Sequence, residues 1–330
     1  MATQLYHEEP EFREVFDDCL EHFGRASTRL PDVLRRLLLA ESDDNDNDAA
    51  VELARTELAQ PGLFSVQYAL ARLWQAMGVE PEAMIGHSLG EIVAACLAGV
   101  LSLADATGLV ARRAALMAEC PPGAMLATAV SRERAASLIP PGVSLAAVNA
   151  HDQCVLSGPH SLIDELSSAL TNADIPAKKL VTSHGFHSEL MTPVIAPLVA
   201  HVRRLRLSPP RVPIVSTVTG HWMSDEQACD PEYWGRQVSD TVQFADAYAQ
   251  VVAQPGRTFV CVAPNRVMGQ MLRAQSRISD STSGSAEEAT AVSEPTAIID
   301  GLDPVERGAD YRFARALGQA WMAGLRIDWA

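Results

Sequence analysis

Aromatic residues are scarce, at 5% of 330 residues, and basic residues are outnumbered, 26 Lys and Arg against 41 Asp and Glu. The formal charge of -15 excludes nucleic acid or an anionic membrane as the main partner, because phosphate binding needs a basic surface, and no basic stripe interrupts the excess acid. The six cysteines form no C-x-x-C pair. Several lie in apolar runs, so they read as buried free thiols of a reducing compartment, with neither disulfides nor zinc expected. No apolar run reaches membrane-spanning length, the N-terminus lacks the basic and apolar regions of a secretory leader, and a cytoplasmic location is expected. No internal repeat is present. What is abundant is apolar: 48% hydrophobic residues suit a soluble α/β chain with one large core and a smaller one.

The stretch from Met84 to Glu91 organises the rest. A short apolar run, Ala83 to Ile85, enters Gly86-His87-Ser88-Leu89-Gly90, and a small-residue helix from Glu91 to Ala98 leaves it. A serine in an ordinary Gly-rich turn is the bland reading. The strand-turn-helix context favours a nucleophile elbow, in which the flanking glycines permit a strained turn, Ser88 Oγ is exposed and the Leu89 N–H stabilises an oxyanion at a helix N-terminus.

Around this centre, Leu5 to Leu39 is helical in character, with Phe12, Val15 and Phe16 on one face. Glu41 to Asp48 reads as a solvated loop without the Gly turn or closing Glu of a calcium site. A strong helix is expected from Gln60 and Pro61 to about Gly78. Ser102 caps a further helix on which Arg113 shares the apolar side with Ala106, Val110 and Met117, while Arg112 is peripheral. A buried Arg must meet an anion, and spacing alone leaves a structural carboxylate and a substrate carboxylate equally open.

From Ala124 the order is strand, helix, strand, strand, helix, strand, that of a ferredoxin-like unit. It ends on His184-Gly185-Phe186-His187, where a general base for Ser88 is a better use of one histidine than a metal site lacking a third ligand. Val212 to Val218 and Phe259 to Val262 suit buried strands. Arg273 to Pro295 reads as a flexible surface segment, and Tyr311 to Met322 as a final helix.

These residues resemble the acyltransferase domain of modular polyketide synthases and, more distantly, the malonyl transferases of fatty acid synthesis. The resemblance rests on Gln60-Pro61, Gly86 to Glu91, Ala111-Arg112-Arg113, Ala147 to Ala150, His184 to His187, Val215 to Gly220, Tyr233 to Gln237 and Ile327-Asp328-Trp329. It implies an α/β-hydrolase-like large subdomain, residues 1–122 and 188–272, with an inserted ferredoxin-like small subdomain, 123–187, and a flexible segment and linker, 273–330. By position, it implies Ser88 as nucleophile, His187 as general base, the Leu89 N–H as oxyanion donor and the backbone carbonyl of Gln237 as the group that orients His187. It further implies a substrate site of Arg113, Gln60, His87, Phe186 and His184. Phe186, beside the histidine, and Leu89, after the nucleophile, are the family's marks of malonyl preference.

The implied reaction moves a malonyl unit from coenzyme A through acyl-Ser88 to the phosphopantetheine thiol of an acyl carrier protein, alongside other polyketide synthase domains and without metal or redox cofactor. An acyl hydrolase of the same fold and a non-catalytic fragment are the alternatives. The family pattern departs here in HGFH for HAFH and in Ala263-Pro264-Asn265 for a Gly-Pro-Gly turn. It also puts a strand and a Gly-Gln-Gly turn, with a second oxyanion donor, ahead of the position of Met1. Without them an open apolar slot is expected beside the strand ending at Ile85.

Overall fold

Apolar side chains recurring every three or four residues turn the N-terminal segment into helices. The computed structural model describes residues 2–39, 46–279, 295–302 and 312–329. α1 (Thr3–Glu8), α2 (Pro10–Gly24) and α3 (Leu30–Leu39) divide the stretch expected as helical. Pro10 opens α2 where its missing N–H costs nothing, and Phe12, Phe16, Leu20 and Phe23 are buried while Val15 is only half-buried. α4 (Asp46–Leu53) corrects the loop expected to Asp48, since Asp48 in its first turn suits the positive end of a helix; residues 41–45 lie outside the described ones. α5 (Thr56–Ala76) begins a full turn before Gln60. Pro61 therefore sits inside it, where burial of Gln60, Pro61, Phe64 and Ser65 outweighs one forfeited N–H bond.

β1 (Met84–Ile85) then feeds α6 (Leu89–Leu97) and α7 (Leu103–Ala118). Ser102 accepts the Asp105 N–H at 3.1 Å and caps α7 as expected. The small subdomain follows as β2 (Ala124–Thr128), α8 (Arg132–Leu138), β3 (Ser144–Ala150), β4 (Gln153–Gly158), α9 (His160–Asn172) and β5 (Ala177–Lys179). Its sheet runs β3-β4-β2-β5, antiparallel throughout, the ferredoxin-like order. β2 alternates, burying Ala124, Leu126 and Thr128, and Leu126 packs on Ile163, Leu166 and Leu170 of α9.

The large subdomain resumes with α10 (Thr192–Val202), β6 (Ile214–Val215), α11 (Asp225–Ala228), α12 (Pro231–Arg236), α13 (Phe244–Val252), β7 (Thr258–Cys261), α14 (Val267–Ser279), β8 (Ala297–Asp300) and α15 (Arg312–Met322). Three expectations are corrected. The strand expected over 212–218 keeps ladder bonds only at Ile214 and Val215, because the chain turns back at Ser216, whose N–H meets the His221 carbonyl. The segment from Arg273 is helical to Ser279; residues 280–294 lie outside the described ones. β8 pairs in parallel with β7, and α15 buries Phe313 and Leu317 against α5, so the described parts of 273–330 belong to the large subdomain's packing.

Besides smaller clusters around α13, β6 and β7, two large cores hold this unit. One wraps Ile92, Val93 and Ala95 of α6 with α7 and α10; the other joins α1, α2, α3, α5, β8 and α15. Between β1 and β7 lies a cleft of about 500 Å³, lined by Met84, Ile85, Thr258, Val260 and Cys261 and flanked by Trp74 of α5 and Val93 of α6. β1 pairs with β6 alone and β7 with β8 alone among the described residues. The cleft thus borders the free edge of each, where an apolar slot beside Ile85 is expected.

Candidate active site

Gly86 ends β1 in close contact with the first turn of α6: a Cβ there would collide with the backbone of Gly90 and Glu91. The tight crossing forces the next residues to turn sharply. Ser88 takes up the strain at φ 52 and ψ -112, a region L-residues rarely occupy. His187 is also at φ 54; apart from Asp174, these two are the described non-glycine residues with positive φ. Two of the three described non-glycine residues with positive φ are thus the two that meet.

They meet directly. His187 Nε2 lies 2.8 Å from Ser88 Oγ, and its Nδ1 lies 2.9 Å from the carbonyl of Asp240. That carbonyl fixes the tautomer: it accepts a hydrogen bond from Nδ1–H and leaves Nε2 free to accept the Ser88 hydroxyl proton. Burial first, then the Arg113 charge, lower the His187 pKa to about 3, so the ring is a neutral base.

The expected role of the Gln237 carbonyl is corrected. Its backbone continues the turn after α12, and Asp240, three residues on, presents the carbonyl to His187. Gln237 acts instead through its side chain, whose Nε2 donates to the Ser88 carbonyl at 2.7 Å.

Arg113 is 3% exposed. Its Nη2 donates to Ser88 Oγ at 3.1 Å and its Nη1 to Gln60 Oε1, while Gln60 Nε2 donates to Thr56 Oγ1 at 2.6 Å. No carboxylate pairs with Arg113 among the described residues, and its Nε is buried without a partner. Burial alone lowers its pKa to about 10, which leaves it cationic at neutral pH. Arg112 is exposed, as its spacing implies. Leu89 opens α6; Gly90 N–H bonds the His87 carbonyl and Glu91 N–H the Ser88 carbonyl, so the Leu89 N–H remains for an incoming oxygen.

Of the other expected residues, Phe186 is half-buried against the core around α6 and stacks on His184, ring centroids 5.9 Å apart. His184 Nδ1 faces Ser183 Oγ at 2.7 Å and does not join the Ser88 cluster. His87 turns away as well: its Nε2 meets Asn149 Oδ1 at 2.9 Å, and its ring borders the β1–β7 cleft. Sequence reasoning missed Asp240, which contributes only a backbone carbonyl and leaves no side-chain signal. It also missed Glu91, the one charged residue of an otherwise apolar α6 and fully buried.

The fold and this geometry define the class: an α/β-hydrolase-like unit with a ferredoxin-like insertion, carrying a serine on a strained elbow with histidine on its hydroxyl. The chain belongs to the acyl transferase domain family, which its residues 1–302 match. It is 39% identical over 329 residues to a phenolphthiocerol/phthiocerol polyketide synthase of Mycobacterium tuberculosis, covering all of this chain and 21% of that protein. It therefore spans about a fifth of that relative's length. Among solved structures, the acyltransferase domain from the second module of the salinomycin polyketide synthase superposes with a TM-score of 0.83 at 34% identity, covering 100% of this chain and 72% of that one. The acyl transferase domain of SpnD, in complex with 2-(pent-4-yn-1-yl)malonyl, gives 0.83 at 32% identity, covering 98% and 73%. The chain is an acyltransferase domain of the polyketide synthase type.

Proposed function

We propose that the domain transfers a malonyl unit from coenzyme A to the phosphopantetheine thiol of an acyl carrier protein within a polyketide synthase. The observation that carries this reading is the Arg113 guanidinium, buried, without a carboxylate partner among the described residues, and 3.1 Å from the nucleophile. A buried cation unpaired in the free protein is costly, and a planar carboxylate on the acyl group satisfies it with two parallel bonds. The substituted malonyl group held by the SpnD domain supports the same ligand class.

Ser88 Oγ attacks the thioester carbonyl while His187 Nε2 takes its proton, and the oxyanion gathers at the Leu89 N–H. The carbon–sulfur bond then breaks, His187 returns the proton to the coenzyme A sulfur, and malonyl-Ser88 remains. The carrier thiol repeats the sequence in reverse, losing its proton to His187 and releasing the acyl group from Ser88, which is reprotonated. An acyl hydrolase has no comparable use for the unpaired guanidinium. Incubation with malonyl-coenzyme A is expected to add one malonyl mass to the peptide containing Ser88 and none to Ser88→Ala; label on a cysteine overturns the reading.

Phe186 beside His187 supports malonyl over methylmalonyl, its ring filling the space of an α-methyl group. One methyl is worth about 1 to 3 kcal/mol, so Phe186→Ser is expected to relax the preference by about tenfold without inverting it. Competition between the two coenzyme A esters measures this; equal incorporation by the unaltered domain defeats it.

A further inference from the structure

Glu91 is fully buried in the first turn of α6, directly under the elbow, and the acyl-transfer steps do not use it. Its partners are all neutral: Tyr233, Gln237 and Thr217, the last through both its hydroxyl and its backbone N–H. Oε1 meets the Tyr233 hydroxyl; Oε2 lies 2.9 Å from Thr217 Oγ1 and 3.4 Å from Gln237 Nε2. Thr217 Oγ1 lies in turn 3.1 Å from the Gly86 carbonyl, and Gln237 Nε2 lies 2.7 Å from the Ser88 carbonyl.

The protons of this cluster can be counted. Ser216 Oγ accepts the N–H groups of Val218, at 3.2 Å, and Thr219, at 3.0 Å, so its own proton goes to the Tyr233 oxygen at 2.7 Å. Tyr233 then donates to Glu91 Oε1. Thr217 has one proton, and the Gly86 carbonyl is an acceptor only, so that proton belongs to Gly86. The contact between Thr217 Oγ1 and Glu91 Oε2 is left without a hydrogen unless Glu91 brings one. An ionised Glu91 would put two oxygen lone pairs face to face at 2.9 Å, or strip the Gly86 carbonyl of its donor. A neutral acid completes a directional chain from Ser216 through Tyr233, Glu91 and Thr217 to Gly86.

We infer that Glu91 is held as a neutral carboxylic acid and, through Thr217 and Gln237, fixes the Gly86 and Ser88 carbonyls on either side of the turn. It is a positioning residue for the nucleophile. Burial, the dominant influence, raises its pKa, and the hydrogen bonds from Tyr233, Gln237 and the Thr217 backbone N–H oppose that rise. The function of the cluster is mechanical: Ser88 sits in a conformation that its own chain disfavours, and a closed polar chain anchored on both flanking carbonyls keeps it there. The inference rests on Ser88 as the nucleophile, but its first readout does not.

An infrared difference spectrum between the unaltered domain and Glu91→Gln at neutral pH is expected to contain the carbonyl stretch of a protonated carboxylic acid; a carboxylate pair of bands in its place overturns the inference. Glu91→Gln replaces the acid O–H with an amide N–H toward Thr217 and keeps an acceptor for Tyr233, giving up the long contact of 3.4 Å from Gln237 Nε2. It is expected to acylate Ser88 within about threefold of the unaltered rate. Glu91→Asp, a methylene shorter, and Glu91→Ala are expected to lower kcat for acylation on the order of 10²-fold with little change in KM, as for a displaced nucleophile. A loss in Glu91→Gln as large as that in Glu91→Ala also overturns it. If Glu91→Ala does not fold, the infrared band and Glu91→Gln decide. Failure of the unaltered domain to label Ser88 would count against the proposed function and leave the band untouched.

Discussion

Arg113→Ala is expected to lower malonyl transfer by about 10²- to 10³-fold while acetyl transfer falls by less than about tenfold. The asymmetry follows from what the guanidinium does in each case. On the proposed reading, malonyl gives the buried guanidinium two charge-assisted bonds, whereas acetyl leaves it a buried cation with no carboxylate to pair. Arg113→Lys is expected to fall between, because an ammonium is a point charge and cannot present the planar fork. Arg112→Ala, on the exposed side of the same helix turn, is expected to change neither rate. Intact-mass competition between malonyl- and acetyl-coenzyme A for Ser88 reads all four proteins. Equal losses for the two esters in Arg113→Ala would assign the arginine to holding Ser88 and Gln60 rather than to selecting the acyl group.

His187→Ala is expected to cost about 10²- to 10⁴-fold in acylation, the usual worth of a positioned general base. The unaltered domain should also show an unusual acid limb. His187 works only when neutral, and burial, then Arg113, lower its pKa from 6.5 to about 3, so kcat/KM should stay flat through 6.5 and decline only toward about 3. A carboxylate paired with Arg113 cancels the charge that opposes the imidazolium, so the limb in kcat for malonyl should lie higher than that in kcat/KM. Arg113→Ala, which removes that charge, should raise the kcat/KM limb. The same shift affects folding. Between 6.5 and about 3 the unfolded histidine binds a proton that the folded one refuses, so this site removes stability as the pH falls through that window. A kcat/KM limb centred near 6.5 would show that His187 is solvated in the working enzyme.

Legibility in the sequence followed the distance over which each feature is set. The elbow, the α7 cap and the strand and helix order of the small subdomain depend on residues close in the chain, and their spacing predicts them. Arg113 was readable because helical periodicity aims it at the core. Its choice between a structural and a substrate anion was not, since that depends on which carboxylates lie across the fold. The carbonyl on His187 belongs to Asp240 because the chain after α12 makes one more turn before reaching the site, a detail of backbone path to which side-chain identity is indifferent. β8 was missed because its partner β7 lies far back in sequence, beyond the polar segment that precedes it, and a four-residue strand carries little pattern of its own. Glu91 was visible as an acid in an apolar helix, yet its meaning required Thr217, Tyr233 and Gln237 to be brought beneath it.

The cleft between β1 and β7 has a further bearing on how this domain is held together. β1 supports the elbow with a ladder of two residues, paired on one side and bordered by the cleft on the other. A ladder this short protects few amides, so the strand under the nucleophile is expected to exchange its amide hydrogens before the long helices do, even though Met84 and Ile85 pack on buried clusters. The long helices and the four-stranded sheet of the small subdomain can remain closed while it opens. Catalytic competence is therefore expected to be lost in a smaller opening than global unfolding, which exchange of the Met84 and Ile85 amides against those of α5 and β4 measures.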